Sequence, residues 1–224
     1  MKVSIRILFV SVLIVGLCLS TSAFAAASFT NAENDQDMGN PANWDDTLEA
    51  GNNAQVEYDG YTGEIEPAIL GPGDYVISQK FRVGYHPTGT TMIVNGGTIE
   101  SGRGSRVRDF FVAENDIFDT GHIEMYSGTI DHDQGNIWIG GEGHGTMFMS
   151  GGTVDSAVHF ALAQDGTGSK GEMTMEGGTI ITGSDLKVGR RGTGTWDMTG
   201  GYLDIGSQLI IAEDAGSSGH MDLH

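Results

Sequence analysis

Cysteine is almost missing from this chain: one residue in 224, Cys18, inside an apolar run near the start. A chain that leaves the cell without it has no disulfide and no thiolate metal site, so burial and backbone pairing have to hold the fold together. Proline is scarce too, with three of the four residues between positions 26 and 75. Basic residues number 11 against 30 acidic ones, a formal charge of −19. That balance excludes a nucleic-acid backbone as partner and favours cations. Beyond Leu19 no apolar run is long enough to cross a bilayer.

The one long apolar run, Ile7 to Leu19, follows Lys2 and Arg6 and precedes STSAFA, with Ala23 and Ala25 at the small-residue positions of a cleavage site. Residues 1–25 therefore read as a secretory signal peptide cut after Ala25. The run is short for a membrane anchor and no stop-transfer charges follow it. Cleavage would remove Lys2, Arg6 and Cys18, leaving nine basic residues against 30 acidic ones, about −21 in formal charge.

What the chain has in quantity is glycine, 36 residues, and the glycines repeat. Aligned on a glycine pair, the copies are TTMIVNGGTIE (Thr90 to Glu100), GHIEMYSGTID (Gly121 to Asp131), GTMFMSGGTVD (Gly145 to Asp155), GEMTMEGGTII (Gly171 to Ile181) and GTWDMTGGYLD (Gly194 to Asp204). A sixth, GHMDLH (Gly219 to His224), breaks off. A second motif precedes each copy: KFRVG, DFFVA, NIWIG, HFALA, DLKVG and QLIIA, ending at Gly84, Ala113, Gly140, Ala163, Gly189 and Ala212 with a mean period of about 26 residues. Such a period suits one coil of a solenoid.

Within each unit apolar residues alternate, as at Ile137 and Ile139 or Met173 and Met175, and the set continues after the glycine pair as Ile99, Ile130, Val154, Ile180 and Leu203. Alternation means strands with one buried face. One coil cannot bury its inward side chains alone, so the copies must stack, each strand pairing in parallel with its equivalents. The expected fold is all-β: a single-stranded right-handed parallel β-helix of about six coils. Its handedness follows the crossover rule and the resemblance given below. Eight methionines, Met92, Met125, Met147, Met149, Met173, Met175, Met198 and Met221, take inward positions of one strand, where a flexible side chain fills space between unlike coils. Residues 26–75 lack the repeat and are expected to cap the first coil, with the β-helix over 76–224. The broken sixth copy suggests a chain that continues.

The copies Asp185 to Gly206 (DLKVGRRGTGTWDMTGGYLDIG) and Asn136 to Asp155 (NIWIGGEGHGTMFMSGGTVD) resemble repeats of bacterial extracellular proteins related to autotransporter passenger regions and PEP-CTERM-type surface proteins. The segment NPANWDD, Asn40 to Asp46, is similar to the NW stretch that often opens such proteins. The resemblance implies a surface or secreted solenoid scaffold. Neither a membrane barrel nor an anchor helix is seen here.

Two residue sets invite a site. Phe111 and Trp138 fall one coil apart on an outward column, where they would form a flat platform for sugar rings unless the neighbouring insertion loops cover them. After the glycine pair, Glu100, Asp131, Asp155 and Asp204 stack like charges on an outward column interrupted by Ile181. They are the candidate calcium ligands, although solvation relieves the same repulsion. ENDQDMGN, Glu33 to Asn40, alternates oxygen-bearing side chains as a calcium loop does but lacks an EF-hand's final glutamate. His122 and His220 share a repeat position four coils apart, too far to share one metal. Arg103, Arg106 and Arg108, and Arg190 with Arg191, are the basic clusters; GRRGTGT lacks the lysine of a phosphate loop.

The functional expectation is a secreted or cell-surface structural or adhesive scaffold without catalysis and without a cofactor other than calcium. The alternative is an extracellular carbohydrate-binding or polysaccharide-degrading module. In either case the expected partner is an extracellular polysaccharide or another cell-envelope component.

Overall fold

Strands separated by corners of glycine or left-handed alanine turn each repeat into a three-sided coil, and the coils stack. The computed structural model describes residues 26–29, 36–44, 53–56, 67–84, 89–103, 108–114 and 116–224; the expected leader lies outside the described residues. Strands of the KFRVG-type motif form the first face, an eight-stranded parallel sheet running from Ala26–Phe29 and Asn53–Val56 through Lys80–Val83 to Leu209–Ile211. The second and third faces hold the two strands on either side of the glycine pair. In two coils both are one continuous strand, Thr90–Ser101 and Thr120–His132, bent at the pair. The result is a β-solenoid of about six turns.

Register is exact along the methionine strand. Met92, Ile123, Met147, Met173, Trp196 and Met221 form one inward ladder; Val94, Met125, Met149, Met175, Met198 and Leu223 form the next. The interior is continuous, with stacked Phe81 and Phe110 rings 5.1 Å apart and Trp196 packed edge-on against Phe160 across the coil. Burial of apolar surface at about 25 cal/mol per Å² is the main force holding a chain that has no cross-links.

The stretch expected to cap the first coil contributes strands as well. Asn53–Val56, Ala68–Leu70 and Tyr75–Ile77 pair onto all three faces. Ahead of them, Met38 and Trp44 close that end of the core. The Trp44 ring stands edge-on to Phe29 at 5.5 Å, and its indole N–H donates to the Met38 carbonyl at 3.0 Å. The turn Pro41–Asn43 that places Trp44 is capped by the Asn40 side chain, which accepts from Ala42 N–H. At the opposite end, in the last described coil, the inward residues Leu209 and Ile211 are exposed.

The corner after the first face has an alternation of its own. Gly84, Gly140 and Gly189 take φ of 72°, 77° and 76°, while the intervening Ala113, Ala163 and Ala212 take 59°, 56° and 58°. All six are left-handed, yet only three are glycine. A Cβ on Gly140 would lie 1.9 Å from the carbonyl oxygen of Lys170 in the next coil. That strand follows the longer corner loop 163–169, which brings its first carbonyl down onto the glycine below. Alanine is used where no carbonyl descends, at about 1 kcal/mol of backbone strain relative to glycine.

Candidate functional site

The corner loops decide what the first face presents. Phe111 and Trp138 are paired in register on its outward side, as the sequence implies, but they form no open platform. The loops fold across that side, the Lys80 ammonium lies 4.6 Å from the Phe111 ring centre and the Arg190 guanidinium 5.5 Å from that of Trp138. Trp138 is 3% exposed. Desolvated cation–π contact holds the rings down, and the cations are held in turn by acids of the neighbouring loops. Lys80 and Arg82 both pair with Glu114. Arg190 meets Glu213 at 3.5 Å and Asp165 at 3.9 Å, and beside it Lys187 meets Glu213 at 2.8 Å and Arg191 bridges Asp165 and Asp214 at 2.9 Å each. The first face is a stitched structural seam.

The acidic column is in register as far as Glu100, Asp131 and Asp155, and Ile181 then separates Asp204 from it. Among the described residues no three His, Cys, Asp or Glu side chains converge to hold a metal ion. The reason is geometric: carboxylates on successive strands point outward in parallel, about 4.8 Å apart, instead of toward one centre. Arg103 supplies the countercharge, pairing with Glu100 at 3.2 Å and Asp133 at 2.6 Å. Burial, together with the carboxylates of Asp133 and Asp155, raises the Asp131 pKa above its ordinary value of 3.8. Ionised Asp131 therefore costs the folded state stability as pH rises through that raised value. Asp131→Asn is expected to raise the thermal midpoint at pH 7 and to leave it unchanged at pH 3, measured by calorimetry at both pH values. Of the loop Glu33 to Asn40, only residues 36–40 are described; the Asp37 carboxylate there accepts from Gly39 N–H. Arg106 lies outside the described residues.

Two polar ladders escape a sequence reading tuned to apolar positions. At the corner before the first face, Asp109 Oδ1 accepts from Asn136 N–H at 2.8 Å, Asn136 Oδ1 from His159 N–H at 3.2 Å, and His159 Nδ1 from Asp185 N–H at 3.2 Å. Each side chain satisfies a backbone donor of the next coil, and burial keeps His159 neutral by lowering its pKa. Inside the coil end, Ser101, His132, Ser156 and Thr182 are paired in sequence and fully buried. The aligned repeats carry both signals, as columns of residues that can accept hydrogen bonds.

The second face holds the constellation with the most organised outward chemistry. His122 Nδ1 meets Thr146 Oγ1 at 2.5 Å and His122 Nε2 meets Glu124 Oε1 at 3.4 Å, while the Tyr126 hydroxyl donates to Glu124 Oε2 at 2.7 Å. Alternation puts 122, 124 and 126 on the outward side of one strand, with Ile123 and Met125 in the core between them. The hydrogen bond to Glu124 raises the phenol pKa of Tyr126. Beside the line lies an open groove of about 340 Å³ bordered by Thr90, Thr91, Thr120, His122, His144 and Thr146. His122 and His220 are four coils apart, as their repeat positions require. No family model, no curated protein and no solved structure matches this chain.

Proposed function

We propose that the protein is an exported structural or adhesive scaffold of a bacterial cell surface, without chemistry of its own, in the manner of the autotransporter-associated and PEP-CTERM-type repeat proteins its copies resemble. The observation that carries this reading is the periodic exterior: parallel strands in register except for the irregularity between Val94 and Thr98, with corner loops tied coil to coil by ion pairs such as Lys187–Glu213 and Arg191–Asp214. A prism of this kind holds repeated outward columns at fixed spacing, which suits contact with a repetitive partner such as a cell-envelope polysaccharide. The sequence of residues 1–25, read as a leader, supports export.

The test is expression with the natural leader in a bacterial host. A chain beginning at Ala26 and recovered outside the cytoplasm is the expected result, and beads coated with it should be retained on isolated cell-envelope polysaccharide without generating new reducing ends. An uncut chain held in the cytoplasm, or steady release of reducing ends, would overturn the reading.

A further inference from the structure

The outward side of the second face carries an exposed ring, whereas on the first face Trp138 is buried and Phe111 half-buried. Thr146, His122, Glu124 and Tyr126 are joined in one line by hydrogen bonds that already exist in the free protein. Along the strand, positions 122 to 126 span roughly 13 Å. Because the side chains are already ordered, a ligand meeting them loses little to freezing rotamers. At one end the Tyr126 ring is 44% exposed, braced edge-on by Phe148 with ring centres 5.9 Å apart. At the other end is the groove, bordered by Thr91 and Thr120 of the neighbouring strands.

Three properties narrow the ligand. An exposed ring next to a row of groups that both donate and accept suits a molecule with C–H faces and hydroxyl edges. Glu124, and Glu172 bonded to His144 at 3.2 Å, make the neighbourhood negative, which disfavours an anion. The groove lies open along the sheet, so it takes a stretch of a longer chain and does not enclose a small molecule. A basic peptide would answer the negative charge, but its flexible backbone and long side chains would have to be ordered on binding, whereas a sugar ring is already rigid. We propose that this face binds an uncharged polysaccharide, one sugar ring resting on Tyr126 and the hydroxyls of its neighbours meeting Glu124, His122 and Thr146. The proposal rests on the scaffold reading only in that the face must look outward from the cell.

The full chain, purified, is titrated calorimetrically with hexasaccharides of neutral glucan, mannan, xylan and galactan, and with oligogalacturonate and hexalysine as charged probes. Saturable binding of at least one neutral hexasaccharide is expected. Tyr126→Ala should weaken it roughly threefold to tenfold, the size of one lost ring contact. Tyr202→Ala removes an exposed ring of the third face and should leave it unchanged. Glu124→Gln, which keeps the ring but replaces one of the line's two carboxylate acceptors by a donor, should weaken it as well and guards against a folding defect in the alanine variant. The proposal is overturned when no neutral hexasaccharide binds at millimolar concentration, when binding ignores both Tyr126→Ala and Glu124→Gln, or when either charged probe binds more tightly. Shortened sugars appearing in the same cell would support the site while contradicting the non-catalytic scaffold.

Discussion

Alanine in place of Gly140 is expected to destabilise the solenoid by roughly 3–4 kcal/mol, about 1 from the left-handed backbone and the rest from overpacking. Its Cβ would stand 1.9 Å from the Lys170 carbonyl oxygen and 2.5 Å from the carbonyl carbon. Both atoms belong to backbone that is hydrogen-bonded into the second face, so neither can swing aside as a side chain would. Relief requires the two coils to separate, and in a stack where each coil contacts only its neighbours that loss is felt by both halves. The matched control is Ala163→Gly, one coil on, where φ is already 56° with a Cβ in place. There the relieved strain and the added freedom of the unfolded chain oppose each other, and the net change should stay within about 1 kcal/mol. Urea unfolding followed by far-ultraviolet circular dichroism measures both variants. Equal effects of the two substitutions would contradict the account of why glycine and alanine alternate at this corner.

The second large effect is acid sensitivity centred on His132. The ring is wholly buried, its Nδ1 lies 2.8 Å from Ser101 Oγ, and its Nε2 has no partner of good geometry. Burial pushes its pKa from 6.5 down to about 4, against the pull of Asp109, the Arg108 carbonyl and Asp133. Between those two values the unfolded chain takes up a proton that the folded chain refuses, so stability falls as pH drops from 6.5 and the loss is complete near pH 4. The gap between 6.5 and about 4 corresponds to about 3 kcal/mol. His159, also shifted down by burial, acts in the same direction, whereas Asp131 and Asp74, both shifted up by burial, act in the opposite one. The difference between the parent and His132→Thr isolates the single group, since Thr182 occupies the same column two coils away. The denaturant midpoint of the parent should drop between pH 6.5 and 4 while that of the variant drops much less. Parallel pH profiles would show that the buried imidazole is not the cause.

The fold was legible in the sequence because its information is local and repeated. Period-two alternation assigns the inward set strand by strand, and the copies set the register: Met147 is placed over Met173 because GTMFM aligns with GEMTM. Residues 53–77 escaped this reading. Their coil has lost the glycine pair, and its Tyr75–Ile77 strand is known only by pairing with Thr98–Glu100. The candidate sites were legible in part. Alignment placed Phe111 beside Trp138 and Glu100 beside Asp131, yet it could not say that Arg190 covers one ring or that Arg103 neutralises one carboxylate. The line from Thr146 to Tyr126 was overlooked because it joins two copies, and only the stacking of one coil on the next makes Thr146 a neighbour of His122.

The sequence by itself determined the strands, the phase of their alternation, the length of a coil and the positions that face the core. These follow from chain-local periodicity and from the need to bury apolar side chains that a single coil cannot cover. The tertiary structure alone decided which outward side chains meet solvent and which lie under a loop. That outcome depends on where corner loops of unequal length fall against the coils beside them, and on which charges they bring within reach.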